Sequence, residues 1–445
     1  MNSIFNEAVC KNRDLILKTL DYIWTNPETG YREIKTSKHM ADTFKKLGYE
    51  LHLAENIPGF YTVLDTGRPG PEILILGELD SLICGEHPDA DPETSAVHCC
   101  GHAAQCAALV GVAAALKEPG VLEDLCGRIR LCAVPAEELI EIEYRTQLKK
   151  DGVINYLEGK PEFLSRGYFD GVDIAFMVHT SGGTSFSCEL GAVGAISKKI
   201  TYKGVSAHAG GAPWEGRNAL YAASLGLSAI NAIRETFKED DMIRVHPVIT
   251  NGGGAVNAIP DKVVLESYIR GKTFDGIKAA NERVNRALIG AALSLGVNID
   301  IEDIPAFAPL INDPNMIDVF EDAAACIPGI PCEKHEVFWS ASTDMGDLSC
   351  IMPVIHPYAP GSSGTIHGID YKIADPDLAC VASAKLQLNM LYLLLKDGAE
   401  RANRIITDFK PRFNSKEEYL AYIDGFNASG DRITYSGNER ADIKL

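Results

Sequence analysis

The sequence of 445 residues lacks any apolar run long enough to cross a bilayer. Its most apolar stretches, such as "ILILGELD" and "DIAFMVH", are far shorter than the roughly 20 residues that a membrane-spanning helix needs. The first residues, "MNSIFNEAVCKNRD", lack the apolar core that follows a basic start in a secretory signal. We therefore expect a protein that has no membrane partner.

Positive charge is also scarce. Lysine and arginine number 42 against 61 aspartate and glutamate residues, which gives a formal net charge of −19. This balance argues against nucleic acid and against anionic membrane surfaces as partners. An acidic exterior would also slow the approach of anionic substrates, so an anionic ligand would need a local cationic pocket.

A disulfide framework is missing as well. The 12 cysteines are scattered along the chain and form no C-x-x-C motif. In a chain of this size, such a distribution is typical of reduced and mostly buried thiols. We therefore expect a cytoplasmic protein.

Short apolar strands alternate with helices up to residue 190 and again after residue 305. Strands that are apolar on both faces favour a mainly parallel sheet covered by helices, so we predict an α/β fold. Residues 191–304 instead follow the order β-α-β-β-α-β, and we interpret them as an inserted α+β domain. The first domain then comprises residues 1–190 and 305–445 and ends in a helical tail.

Several predicted strands end in polar residues, and in open α/β sheets ligands bind beyond the carboxyl ends of the strands. The candidate side chains at these ends, in "HCCGH" and in a late glycine-rich loop are Glu78, Asp80, Cys100, His102, Glu137, Glu138, His179, His356 and His367. Thiolate, imidazole and carboxylate together suit zinc, manganese or cobalt. Because these residues come from distant strand ends, they favour a catalytic metal site over a structural one.

The adjacent carboxylates of Glu137 and Glu138, in "PAEE", repel each other and point in different directions. One of them can bind a cation while the other takes a proton from an activated water. The plainer interpretation is a solvated helix start, since acidic residues favour the first turn of a helix. The nearby Cys-Gly-His and the strand-end histidine favour the metal interpretation.

The phrases "HCCGH", "PAEE", "SAHAGGAPWEGRNALYAA", "NGGGAVNAIPDKV" and "STDMGDLS" occur in this order, and "VIHPY" follows them. With them the chain resembles the co-catalytic metallo-amidohydrolases, the family of aminoacylase, carboxypeptidase G and the plant auxin–amino acid conjugate hydrolases. Within that family it is most similar to the branch of p-aminobenzoyl-glutamate hydrolase and the aminoacylase-1-like dipeptidases. The resemblance extends from "WTNPETGYREIKTS" to "GTIHGIDYKIADPD" and so covers nearly the whole chain.

This resemblance implies metal-dependent hydrolysis of an amide bond in an N-acyl or aminoacyl amino acid, or in a dipeptide-like conjugate. It implies two divalent metal ions, manganese or zinc, with cobalt as a further candidate. The ligands that it implies are Cys100, which bridges the two ions, and His102, Glu138, His179 and His367. The inserted domain would serve as the lid and as the dimerisation surface of a homodimer.

The resemblance also implies roles beyond the metal ligands. Glu137 would be the general base, and Asp80 would orient a metal-bound histidine. His208, in the inserted domain, would reach across the dimer to stabilise the oxyanion. Asn257 and Arg270 would contact the substrate, with Arg270 suited to hold a free carboxylate.

Two departures from the family pattern bear on activity. Ala103 and Gln105 stand where the family has Asp or Asn and often a second His, which we expect to loosen the surroundings of one metal. Residues 139–171 replace a glycine-rich loop, and we interpret this longer segment as a change of specificity. The side chains that it would bring near the site are Glu141, Glu143, Tyr144 and Arg145.

Two functions of other classes stay open at this point. The chain could be a catalytically impaired metal-binding subunit with a ligand-binding or regulatory role, or a structural zinc protein. The intact pair of Glu137 and Glu138 favours the hydrolase over both.

Overall fold

A computed structural model describes residues 3–437 and 440–445. The helices of this part of the chain are α1 (Ser3–Lys11), α2 (Arg13–Trp24), α3 (Ile34–Lys46), α4 (His102–Ala115), α5 (Ile142–Lys150), α6 (Gly159–Ser165), α7 (Ala219–Arg234), α8 (Phe274–Ser294), α9 (Pro314–Ala324), α10 (Met345–Ser349), α11 (Ser383–Leu395), α12 (Glu400–Asp408) and α13 (Lys416–Asp424). A π-helical turn, Asp377–Ala382, leads directly into α11.

The strands of the same residues are β1 (His52–Leu53), β2 (Phe60–Asp65), β3 (Glu72–Glu78), β4 (Leu82–Ile83), β5 (Ala96–Val97), β6 (Arg128–Val134), β7 (Ile174–Phe176), β8 (His179–Ser181), β9 (Phe186–Ala192), β10 (Gly194–Lys203), β11 (Arg244–Val245), β12 (Val248–Asn251), β13 (Lys262–Gly271), β14 (Asn298–Phe307), β15 (Leu310–Ile311), β16 (Cys332–Trp339), β17 (Val354–Ile355), β18 (Tyr358–Pro360), β19 (Ser362–Ser363), β20 (Lys372–Ile373), β21 (Ile433–Tyr435) and β22 (Ala441–Ile443).

The chain divides into two compact units. Unit 1 comprises Met1–Gly191, Ile311–Val337 and Asp347–Lys416. Unit 2 comprises Ala192–Leu310, Phe338–Gly346 and Glu417–Leu445. The inserted domain expected from the sequence corresponds to the first of the three segments of unit 2.

The central sheet of unit 1 has the strand order β1-β2-β6-β3-β7-β17. β3 is parallel to both β6 and β7, and β7 is parallel to β17, whereas β2 is antiparallel to β6. The predicted α/β fold with a mainly parallel sheet is therefore confirmed. Because β3, β6 and β7 share one direction, the residues that follow them meet at the same edge of the sheet.

Helix α4 is the core helix of unit 1, and all of its residues are buried. Its alanines allow close packing against α2, β3 and α11. Gly101 precedes the helix with a φ of 115°, in the region that favours glycine. A Cβ atom at Gly101 would lie 2.7 Å from the hydroxyl oxygen of Tyr371, so only glycine fits between Cys100 and His102.

The helical stretch Asp377–Leu395 is apolar over 19 residues, a length that could cross a membrane. In the folded unit, 78% of its apolar window is buried. Its side chains belong to the core of unit 1, where α11 packs against α4 and α9. Packing inside the unit therefore accounts for its apolar composition.

Unit 2 has an antiparallel sheet with the order β11-β13-β10-β14, and β12 also pairs with β13. Helices α7 and α8 pack on each other and on this sheet. The predicted order β-α-β-β-α-β is present, except that its second strand is divided into β11 and β12. In the interior, the ammonium group of Lys198 forms an ion pair with the carboxylate of Asp303.

The C-terminal residues differ from the expected helical tail of the first domain. After α13, main-chain hydrogen bonds join Ala428 to Asp303, at 2.8 and 3.1 Å, and the N–H of Arg432 to the carbonyl of Ile299, at 2.8 Å. These bonds extend the sheet beyond β14, and β21 and β22 then form a short hairpin. Glu417–Leu445 belongs to unit 2 because the N–H and C=O groups of the β14 edge find their partners there.

Candidate metal centre

The predicted ligands of unit 1 converge beyond the carboxyl ends of β3, β6 and β7. The sulfur of Cys100 lies 3.4 Å from Nε2 of His179. One ligand atom each from Cys100, His102 and His179 lie within 4.8 Å of one another. Both histidines are buried. This first ligand group contains a thiol and two imidazoles, a combination that suits zinc and neighbouring transition metals.

A second ligand group shares the same cysteine. Ligand atoms of Cys100, Glu138 and His367 also lie within 4.8 Å of one another, and Nε2 of His367 is 3.2 Å from Oε1 of Glu138. The main chain of His367 has a φ of 65°, and its N–H donates to the carbonyl of Cys99 at 2.8 Å. The loop that presents His367 is therefore tied to the loop that presents Cys100.

Glu137 lies beside these groups, next to His102. Nε2 of His102 is 3.2 Å from Oε2 of Glu78 and 3.9 Å from Oε2 of Glu137. Glu137 forms a third group of ligand atoms with Glu78 and His102, and Cys100 is not part of this group. The two adjacent carboxylates of "PAEE" therefore face different neighbours, Glu137 near His102 and Glu138 near His367.

Asp80 connects the loops after β3 and β6. Its Oδ1 lies 3.1 Å from Nδ1 of His102, and its Oδ2 accepts a hydrogen bond of 2.8 Å from the N–H of Glu138. The carbonyl of Asp80 also lies 3.0 Å from the same Nδ1. With Nδ1 held in this way, Nε2 of His102 is left to face the ligand group.

Three further buried residues, Glu78, Gln105 and Lys160, surround His102, and of these only Lys160 was not singled out from the sequence. Glu78 accepts hydrogen bonds from Nζ of Lys160 at 2.5 Å and from Nε2 of Gln105 at 2.9 Å. Gln105 is one of the departures from the family pattern, and it orders a carboxylate rather than leaving a gap. Lys160 carried no local signal, because it lies on α6, 82 residues along the chain from Glu78.

The surroundings of Cys100 favour the protonated form of its thiol. Burial and the charge of Glu138 raise the pKa of the Cys100 thiol well above its usual value. Burial opposes the charge on His102, but Glu78 and Cys100 outweigh it and raise the pKa of His102 well above the ordinary range. Burial and His102 together lower the pKa of His179 to about 4. A thiol, imidazoles and carboxylates gathered in this way fit divalent cations, which bind the deprotonated forms.

His98 and His356 are buried close to these ligands. The imidazole of His356 lies 5.7 Å from that of His179, measured between ring centroids. Burial is the main cause that lowers the pKa of each residue to about 3, with the charge of His102 adding to it for His98 and that of His179 for His356. Neither residue joins the ligand groups found among the described residues.

Residues 139–171, where the sequence departs from the family, contain α5 and α6. Glu141 accepts a hydrogen bond from the hydroxyl of Thr29 at 2.5 Å and pairs with Arg32 at 3.4 Å. The guanidinium of Arg32 also lies over the ring of Tyr144, at 3.6 Å from its centroid. These contacts hold α5 against the segment that follows α2.

Arg145 does not behave as the specificity interpretation expects. Its side chain is fully buried and donates hydrogen bonds to the carbonyls of Glu138 and Leu157. A substrate therefore has no access to its guanidinium. Sequence reasoning placed Arg145 near the site correctly but could not tell a buried arginine from an exposed one.

The remaining predicted site residues lie in unit 2. His208 is exposed, and its Nδ1 accepts a hydrogen bond of 2.8 Å from the N–H of Gly211. The loops of His208 and Asn257 are joined, since the N–H of Ala209 donates to the carbonyl of Asn257 at 2.9 Å. Arg270 lies on β13.

Residues 190–293 match a peptidase dimerisation domain of the M20 type. The structure is similar to that of a dinuclear metal-binding peptidase of the M20 family from Bacillus subtilis, with a TM-score of 0.64 and 18% identity, over 86% of this chain and 98% of that chain. The chain has the fold and the dimerisation domain of the M20 peptidases. The family resemblance predicted from the sequence motifs is thereby confirmed.

Curated relatives of this chain are named as hydrolases and peptidases. The mouse protein Xaa-Arg dipeptidase is 31% identical over 269 residues, which are 59% of this chain and 57% of the relative. Indole-3-acetyl-aspartic acid hydrolase of Enterobacter agglomerans is 26% identical over 68% of this chain and 77% of the relative. The chain thus aligns with little more than half of the mouse relative.

Proposed function

We propose that this M20-type chain hydrolyses an amide bond in an N-acyl or aminoacyl amino acid, or in a dipeptide-like conjugate. The observation that carries the proposal is the geometry around Cys100. This thiol belongs to two ligand groups, while the carboxylate of Glu137 lies outside both and beside His102. Metal-assisted hydrolysis by a two-metal site needs two cations, which activate water, and one additional carboxylate, which acts as the general base.

In this proposal two divalent ions would be held by Cys100, His102, Glu138, His179 and His367, and the thiol of Cys100, which both ligand groups share, would serve both ions. Bound ions would polarise the scissile carbonyl and make a water molecule more acidic. Manganese, zinc and cobalt all suit the mixture of sulfur, nitrogen and oxygen donors.

Glu137 accepts the proton of the attacking water and returns it to the nitrogen of the leaving amine. Asp80 holds His102 through Nδ1 and so keeps its Nε2 directed at the ligand group. The buried position of Glu137 limits its exchange of protons with bulk solvent.

We assign the substrate contacts to unit 2. Because Nδ1 of His208 accepts the hydrogen bond of Gly211, its neutral ring carries the proton on Nε2 and can donate to a developing oxyanion. Arg270 would hold the free carboxylate of the amino acid, and Asn257 would also contact the substrate. The names of the two relatives described above support an amino acid conjugate as the substrate.

We further propose a homodimer that works in the cytoplasm. Unit 2 exposes large apolar side chains on α7 and on the edge strand β12, of which Tyr221, Leu225 and Val248 are 66%, 42% and 51% exposed. An open strand edge beside an apolar helix face suits pairing with a second copy of the chain. A reducing compartment agrees with the cysteines, all 12 of which are free.

The test is amine release from a panel of N-acyl amino acids, dipeptides that end in arginine, and indole-3-acetyl-aspartate. Each substrate is assayed with added manganese, zinc or cobalt and after chelation. We expect release that depends on metal. Metal binding with no release from any member would instead indicate the binding or regulatory subunit that the sequence left open.

A matched pair of variants tests the general base. Glu137→Gln should retain metal and fold but lose about 10²–10⁴-fold in kcat, because its amide cannot accept the proton. Glu123→Gln is the control and should keep the activity of the unmodified chain, because Glu123 is exposed and lies outside the ligand groups. Equal activity of both variants would contradict the assignment of Glu137.

A further inference from the structure

The main chain that carries Glu137 and Glu138 is strained. Ala136, the preceding residue, has a φ of 57°, in the left-handed region that residues other than glycine rarely adopt. Such a conformation costs free energy and persists only where the surrounding structure holds it. The two carboxylates therefore depend on contacts that fix this turn.

Three of these contacts come from well-separated parts of unit 1. The N–H of Ala136 donates to Oε1 of Glu33 at 2.8 Å, and its carbonyl accepts from the N–H of Gly159 at 3.0 Å. The N–H of Glu138 donates to Oδ2 of Asp80 at 2.8 Å. The carbonyl of Glu138 accepts from the N–H of Ile140 at 2.9 Å, within the turn itself, and it is also held by a side chain from α5.

Arg145 holds that carbonyl. Its Nη2 donates to the oxygen of Glu138 at 2.5 Å, and its Nη1 donates to the oxygen of Leu157 at 2.9 Å. The planar guanidinium is fully buried and joins the turn to the chain after α5 in a fixed geometry. Gly30 faces the same group, because a Cβ atom at Gly30 would overlap with Nη2 of Arg145.

We infer that Arg145 is a positioning residue that holds Glu138 in place as a metal ligand and Glu137 in place as the base. This inference rests on the proposed function. It also gives Arg145 a structural task in catalysis, in place of the substrate recognition expected for this residue from the sequence. A displaced main chain at Glu138 moves its carboxylate, and groups that orient metal ligands typically change metal affinity or activity by 10–100-fold.

The experiment compares Arg145→Met, Arg145→Lys and Lys150→Met. Lys150 is an exposed cation on the same helix, so its replacement removes the same charge without a buried contact. For Arg145→Met we expect affinity for Mn²⁺ or Zn²⁺, measured by titration of the metal-free protein, to fall about 10–100-fold. We expect kcat to fall by a similar factor with little change in KM, because a group that acts through the base does not bind the substrate.

Arg145→Lys should recover part of the loss, since one ammonium group can reach one of the two carbonyls but lacks the fork that holds both. Gly30→Ala would place a Cβ atom against Nη2 of Arg145 and 2.9 Å from the Cα atom of Ala136, so it disturbs the guanidinium and the turn together and should lower metal affinity without any change of charge. If Arg145→Met does not fold, Arg145→Lys and Gly30→Ala test the positioning role of Arg145.

A folded Arg145→Met or Gly30→Ala with the metal affinity and kcat of the unmodified chain would overturn the inference. A rise in KM alone would also overturn it, because that result indicates a substrate contact. If the unmodified chain hydrolyses no member of the panel, the proposed function fails, and the metal titrations still test the role of Arg145.

Discussion

The thiol of Cys100 belongs both to the group with His102 and His179 and to the group with Glu138 and His367. Its raised pKa means that the protein alone keeps the thiol protonated, so cations must displace that proton when they bind. A hydroxyl at this position would be a weaker ligand, because it ionises far less readily than a thiol.

Cys100→Ser should therefore lower the metal content of the purified protein, as measured by elemental analysis after dialysis. Cys10→Ser is the control, since Cys10 is exposed and lies outside the ligand groups. A metal-to-protein ratio that is the same in both variants would exclude the bridging role of Cys100.

The role of Gln105 could not be predicted from the sequence. Its departure from the family pattern predicts a looser site, whereas its amide donates to Glu78, the carboxylate beside His102. Family comparison shows that a residue has changed. The side chain that replaces the lost contact becomes visible only when β3 and α4 are packed together.

At the scale of elements, α6 and β3 are joined by a buried ion pair. Lys160 on α6 and Glu78 at the end of β3 are both almost completely buried. Burial opposes ionisation of Glu78, but Lys160 and His102 outweigh it and hold the pKa of Glu78 below its usual value. The pair keeps the acidic end of β3 charged in the interior.

Lys160→Met should destabilise the fold by about 3–5 kcal/mol, because it removes the ammonium group from the buried carboxylate of Glu78. Chemical denaturation measures the change, and Lys150→Met provides the exposed control on α5. Adding Glu78→Gln to Lys160→Met should restore part of the loss. A loss for Lys160→Met as small as that of the control would show that the pair contributes little.

At the scale of the whole molecule, the two edges of the unit 2 sheet differ. The β14 edge is covered by the segment around Ala428, whose main chain pairs with Asp303. The β12 edge has no such cover among the described residues, and exposed apolar side chains of α7 belong to the same unit. The proposed self-association through the β12 edge and α7 would account for both features.

Leu225→Glu should convert the proposed dimer into a monomer, because it puts a charge into the apolar surface of α7. Leu293→Glu is the matched control, since Leu293 lies on α8 and is 37% exposed, against 42% for Leu225. Light scattering coupled to size-exclusion chromatography gives the mass of each variant. An unchanged mass for Leu225→Glu would contradict the proposed interface.

The sequence by itself determined the α/β class, the inserted α+β fold and the strand ends at which the candidate ligands lie. It could do so because hydrophobic periodicity and short motifs are local, and parallel strands bring their carboxyl ends to one edge of a sheet. Tertiary structure alone decided that Arg145 is buried against Glu138, that Lys160 pairs with Glu78, and that the C-terminal residues join unit 2. Each of these contacts depends on how whole elements pack, and no local pattern of residues encodes that packing.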